Sequence, residues 1–218
     1  MTDSIKLIGN VASPYTRKMI AYLRYKRIPY EVIWGQPEDV LKKMNIEAPK
    51  PILLPVFILE RDGQAAAVTD STPLIREFEE KYPDRSVLPK DPALNFINFI
   101  LEDFGDEWCT KFMFHYRWYF DEDADNAGTI LPLGINSNLK DDELAFFKEH
   151  FAKRQIDRLW VVGSNNDTAE FIDKSYKNVL SIFEDHFKNH PFLLGNLPSS
   201  CDFAVYGQFT QLVGFDPT

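Results

Sequence analysis

The stretch "IKLIGNVASPYTRKMIAYLRYKRIPYEVIW", Ile5 to Trp34, decides how the chain is read. Ile5-Lys6-Leu7-Ile8 has the composition of a strand, and Tyr30 to Trp34 that of a second. Between them, Ser13 stands where an N-cap belongs, and Pro14 fits the first helical position, where a missing N–H costs nothing. Met19, Ile20 and Leu23 then give the helix from Pro14 to Lys26 an apolar face. A strand, a helix and a strand joined by short turns predict an α/β layer.

The turn itself has chemistry. Ser-Pro-Tyr-Thr stands where a thiol–disulfide enzyme would carry Cys-Pro-Tyr-Cys, so a hydroxyl occupies a place suited to sulfur. Free N–H groups and the positive end of a helix dipole favour an anion here. A free thiol with a pKa of about 8.5 is only a few per cent ionised at pH 7. A dipole contribution of ~0.3–1 kcal/mol and a charge-assisted hydrogen bond of ~1.5–3 kcal/mol could lower a bound thiol by roughly one to three pH units. The alternative is that Ser13 only caps the helix.

A short helix is expected from Glu38 to Asn45, followed by the proline-punctuated "EAPKPILLP". Val56–Leu59 and Ala65–Val68, joined through Asp62-Gly63, read as an antiparallel hairpin. Pro55 suits a strand's first residue, and a cis bend after Leu54 would present that residue's N–H and C=O to a ligand backbone. Asp70-Ser71-Thr72-Pro73 opens a helix ending near Lys81. Its start offers Ser71 and N–H groups to a carboxylate and Asp70 to an ammonium, the two ends of an α-amino acid; a plain cap is the alternative.

"YPDRSVLPKDP" has three prolines and no periodicity, so it reads as a linker. Beyond Ala93, apolar residues recur at spacings of three and four, and an all-helical region is expected. The polar run from Asp121 to Asp142 is long for a helix connection and reads as a flexible insert. Its "DEDADNAG" imitates a calcium loop, but Asn126 replaces the required glycine and Pro132 the bidentate glutamate. His186 and His190 complement a helix C-terminus without a metal. No metal site is expected.

The 218 residues are 44% hydrophobic, enough for a sizeable core, and carry a net charge of -9, which disfavours a nucleic-acid partner. The basic cluster Arg17, Lys18, Arg24, Lys26 and Arg27 reads as a solvated helix surface. No apolar run approaches a membrane span, and the start lacks a secretory pattern, so a cytoplasmic location is expected. The two cysteines, Cys109 and Cys201, read as buried small hydrophobes.

Together the chain resembles the cytosolic glutathione transferase superfamily, in its serine-type form. The resemblance rests on Ser13-Pro14-Tyr15, Pro55 before the third strand, Asp70-Ser71, and "GNLPSSCDF", where Ser199 and Asp202 match that family's capping box. It covers essentially the whole chain. It implies a thioredoxin-like N-terminal domain over residues 1–83, a linker over 84–92, and an all-helical C-terminal domain over 93–218. The family commonly continues further, so a truncated C-terminal domain is expected.

The resemblance also implies a glutathione site. Ser13 would hydrogen-bond the sulfur as catalytic residue, Leu54 and Pro55 would hold the cysteinyl backbone, and Asp70 and Ser71 would take the γ-glutamyl head group. Lys50 would meet the glycyl carboxylate; a merely solvated lysine is the alternative. Tyr15 would lie behind the site. Phe112 and His115, on the helix that faces the family's cleft, would line an electrophile pocket; core packing is the alternative. Serine here implies conjugation of glutathione, as co-substrate, to small apolar electrophiles by a homodimer. A non-catalytic glutathione-binding or protein-interaction member of the same fold is the alternative.

Overall fold

The computed structural model describes residues 4–217. β1 (Ile5–Gly9), α1 (Pro14–Lys26), β2 (Tyr30–Trp34), α2 (Pro37–Lys43), β3 (Val56–Arg61), β4 (Gln64–Val68) and α3 (Ser71–Lys81) form the first layer structure. The four-stranded sheet has the order β2-β1-β3-β4, with β1 parallel to β2 and antiparallel to β3. Strand side chains alternate faces, so neighbours Leu7 and Ile8 enter different cores. Leu7 joins Met19, Tyr22, Leu23, Ile75 and Phe78 under α1 and α3, while Ile8 joins Leu41 and Val56 under α2. This is a thioredoxin-like arrangement.

Helices follow: α4 (Pro92–Asp103), a π-helical turn (Phe104–Trp108), α5 (Cys109–Tyr119), α6 (Asp121–Ile135), α7 (Asp141–Ile156), α8 (Ala169–Phe187) and α9 (Ser200–Leu212). The α9 start is built as its sequence predicts: Asp202 accepts the Ser199 N–H at 2.8 Å and the Leu193 N–H at 2.8 Å. From there α9 packs on α1, and its Phe203 enters the core beneath the sheet. Cys109 and Cys201 are buried and unpaired; burial first, then the Asp106 carboxylate, pushes the Cys109 thiol up to about 12.

Two expectations are corrected. Residues 121–135 are helix α6, not a flexible insert. Ala124, Ala127, Gly128 and Leu131 are buried at helical spacing, and such small residues are easily overlooked among acids. A Cβ on Gly128 would stand 3.2 Å from Lys148 Cγ, which shows how closely α6 lies on α7.

The basic cluster on α1 is likewise not all solvated. Lys18 is 1% exposed; its ammonium meets Asp106 at 2.5 Å and Glu102 at 3.1 Å. Lys26 is buried against Glu79 at 2.7 Å. Glu102 also binds Arg76 at 2.5 Å and accepts from Ser200 at 2.7 Å, so one carboxylate ties α1, α3, α4 and α9. Helical spacing places Lys18 and Lys26 on the inner side of α1, but their acidic partners come from distant segments that local sequence does not reveal.

Candidate active site

Sheet register gathers three segments at one end. Ile8 pairs with Val56, and Phe57 with Val68. β1 therefore leaves toward Asn10–Ser13 beside the point where Leu54–Pro55 enters β3, and β4 leaves nearby toward Asp70–Ser71. The Leu54–Pro55 peptide is cis, as is Lys50–Pro51.

Ser13 is the N-cap of α1, with extended backbone, and its Oγ accepts the Thr16 N–H at 3.2 Å. Acceptance leaves the hydroxyl proton free to donate. Pro14 has no N–H, Arg17 N–H goes to the Ser13 carbonyl at 3.1 Å, and Tyr15 N–H has no partner among the described residues. Neither N–H nor C=O of Leu54 has a hydrogen-bond partner among the described residues. The sheet end thus offers a hydroxyl, a helix-terminal N–H and one unpaired peptide edge.

Asp70 caps α3 through Thr72 N–H at 3.3 Å, with φ +80°, a conformation that costs a non-glycine residue roughly 1–3 kcal/mol. Its side chain is exposed, whereas Ser71 is buried. Lys50 is exposed on the segment leading to β3.

Ser13 and Leu54 line a cavity of about 330 Å³. Its far wall is built by Met113, Phe114 and Trp118 of α5, Leu131 and Ile135 of α6, and Phe151 of α7. The rim is polar: Asn10, Gln36, Arg117, Arg154 and Gln155. Neither Asp70, Ser71 nor Lys50 lines it. An apolar wall facing a capped helix end can hold an apolar molecule against an anion.

The face of α5 toward the cavity is not the face expected. Phe112 packs on Tyr176, with ring centroids 5.7 Å apart, in the core shared with α8. His115 is fully buried, bonded through Nδ1 to Ser164 Oγ at 2.7 Å and stacked on Tyr119 at 4.6 Å; burial lowers its pKa. One helical residue advances the direction by 100°, so Met113, Phe114 and Arg117 take the cavity side instead. Tyr15 points from the site toward the π-helical turn, donating to the Asp106 carbonyl at 2.7 Å, and burial pushes its hydroxyl up to about 12.

Arg117 is the site residue that sequence reasoning missed. Its Nε meets Asp216 Oδ1 at 2.9 Å, Nη1 donates to the Ala12 carbonyl at 2.9 Å, and Nη2 donates to Gln211 Oε1 at 2.9 Å. A buried arginine on an aromatic helix carries no local mark of these distant partners.

A more apolar hollow of about 400 Å³ lies between α8 and α9, lined by Phe183, Phe187 and Phe209. Its carboxylate, Asp202, is already committed to the capping bonds at α9. It lacks the convergent donors found at Ser13.

Residues 7–86 match the family model described as "Glutathione S-transferase, N-terminal domain". The fold is that of a glutathione transferase. FzlA from C. crescentus has a similar fold, at 16% identity and TM-score 0.60, covering 99% of this chain and 81% of that one. A glutathione S-transferase from Methylobacterium radiotolerans in complex with glutathione sulfonate aligns at 20% identity and TM-score 0.56, covering 96% and 79%. Among curated relatives, glutathione S-transferase U6 of Arabidopsis thaliana is 29% identical over 91 residues. That match spans 41% of this chain and 39% of the relative's length. Among the described residues no helix is long and apolar enough to cross a membrane, and no group of three or more His, Cys, Asp or Glu gathers for a metal ion.

Proposed function

We propose that the chain is a serine-type glutathione transferase that joins the glutathione thiolate to small apolar electrophiles in the cytoplasm. The observation that carries this is Ser13: a helix cap whose hydroxyl proton is uncommitted, on the wall of a cavity otherwise largely apolar. The hydroxyl and the Tyr15 N–H would hold the sulfur as its anion. The unpaired peptide edge at Leu54, before Pro55, would bond the cysteinyl backbone. Asp70 would take the γ-glutamyl ammonium, Ser71 its carboxylate, and the exposed Lys50 the glycyl carboxylate.

The sulfur would then attack an electrophilic carbon held against Phe114 and Trp118. A carbon–sulfur bond forms, and the leaving group departs with its electron pair. Residues 1–83 would hold the tripeptide, with 84–92 linking them to the helical unit of residues 93–218. The exposed side chains of Phe96, Ile97, Phe99 and Ile100 on α4 support a homodimer, which sedimentation velocity would test.

Calorimetric titration of the full chain with glutathione, beside a chromogenic electrophile assay, tests the reading. Binding with turnover is expected. Binding without turnover would assign a glutathione-binding role instead, and no heat of binding would overturn both.

A further inference from the structure

The cavity's two arginines differ in what they have left to offer. Arg117 is spent on Asp216, Ala12 and Gln211. Arg154, near the C-terminal end of α7, has no ion-pair or hydrogen-bond partner among the described residues, although it lines the same cavity. The acid three residues on, Asp157, is held by Lys153 at 2.9 Å. Gln155 accepts from Arg158 with its Oε1 at 3.5 Å, so its amide N–H groups remain as donors beside Arg154.

Among the described residues no Asp or Glu lines this cavity, although the chain carries 33 of them. A protein of net charge -9 thus lines one hollow with two arginines and no carboxylate side chain among the described residues. Low-dielectric walls concentrate that field on whatever enters. Leu54 lines the cavity beside Ser13, whereas Asp70–Ser71, after β4, do not. From Ser13 and Leu54 the cavity extends toward Gly35–Gln36 after β2 and the end of α7. The free guanidinium therefore shares the cavity with the apolar wall and is carried on a helix apart from Asp70–Ser71 and Lys50, which do not line it.

We propose that Arg154 anchors an anionic group of the electrophile. The second substrate is an aromatic or similarly apolar electrophile bearing one carboxylate, its reactive carbon at Ser13 and its carboxylate on Arg154 and the Gln155 amide. This rests on Ser13 being the thiolate site. Guanidinium suits the role because its planar fork matches a carboxylate in two parallel bonds.

The probe pair is 4-chloro-3-nitrobenzoate and the uncharged 1-chloro-2,4-dinitrobenzene. With each, the thiolate pair forms the carbon–sulfur bond, the carbon–chlorine bond breaks, and chloride leaves with its electrons; the thiol proton goes to solvent. In Arg154→Ala the ratio of kcat/KM for the benzoate to that for the dinitrobenzene should fall at least tenfold, and Arg154→Lys should restore part of it. A ratio unchanged within twofold overturns the proposal. So does a loss of glutathione affinity, read by calorimetry, that matches the loss of benzoate kcat/KM, because Arg154 would then hold the tripeptide.

A second measurement needs no glutathione: 3-nitrobenzoate quenching of tryptophan fluorescence, with Trp118 in the cavity wall. Affinity should fall tenfold or more in Arg154→Ala. If that loss appears in a protein that does not bind glutathione, the anion site stands and the conjugation reading falls. Equal binding by both forms overturns the site.

Discussion

Arg117 on α5 donates to the carbonyl of Ala12, the residue before Ser13, at 2.9 Å. The helical region thereby holds the backbone of the loop that carries Ser13. Asp216 steadies the guanidinium; burial raises its pKa even though Arg117 pulls it down. Arg117→Met should remove the brace and leave Asp216 buried without its cation. Breaking such a pair costs about 3–5 kcal/mol, and Arg117→Met with Asp216→Asn should recover part of it. Urea unfolding of the three variants measures the recovery.

Ser13→Ala removes both the cap and the donor. Losing one donor to a developing or bound anion lowers turnover on the order of 10²–10³-fold, whereas losing a cap costs ~1 kcal/mol of stability. Ser13→Thr keeps a hydroxyl and a cap, so it should retain more turnover than Ser13→Ala and stay closer to the unsubstituted protein in stability. The thiolate absorbance of the bound complex, followed against pH, separates the two roles: in Ser13→Ala its midpoint should move up. An unmoved midpoint would assign the thiolate to another donor, the Tyr15 N–H foremost.

Glu102 and Asp106 share Lys18 yet shift in opposite directions. Burial pushes Glu102 up, but Lys18, Arg76 and the Ser200 hydroxyl outweigh it and leave its pKa below the ordinary 4.5. Burial prevails at Asp106, whose pKa rises above 3.8 despite Lys18; its Oδ1 is buried without a hydrogen bond. A lowered carboxyl contributes stability that is present above its unfolded value and lost as pH falls through the folded one. A raised carboxyl does the reverse, its contribution being lost as pH rises through its folded value. Glu102→Gln should therefore cost about 3–5 kcal/mol at pH 7 and flatten the acid limb below pH ~4.5. Asp106→Asn should cost less, under ~2 kcal/mol, and steepen that limb. Urea midpoints between pH 3 and 7 check both signs.

Local chemistry made the first layer legible. The Ser13 cap, the Asp62-Gly63 turn and the periodicity around Met19 all act within a few residues, and each left a pattern in the chain. The distant partners left none. Lys18 and Glu102 are 84 positions apart, and Arg117 and Ala12 are 105 apart. Lys18 therefore read as solvated, Arg117 went unnoticed, and rotation of α5 by one residue exchanged Phe112 for Met113 at the cavity. Acidic neighbours disguised α6, half of whose buried residues are alanine and glycine.

Gly207 is a point where α9 lies close against the first turns of α1. A Cβ there would stand 2.5 Å from the Pro14 carbonyl oxygen and 3.1 Å from Lys18 Cβ. In an ordinary helix interior Gly→Ala gains about 1 kcal/mol. Here the methyl would meet backbone at the first turn of α1, which cannot turn aside as a flexible side chain would. Forcing atoms into a packed interface costs typically 1–3 kcal/mol, so Gly207→Ala should be destabilising despite its better propensity. α1 would relieve the contact by moving its first turn, and Ser13 would move with it. Glutathione affinity, measured by calorimetry, should fall several-fold along with the urea midpoint. A variant that is less stable but binds glutathione as before would mean that α9 gives way instead, leaving the cap of α1 where it is.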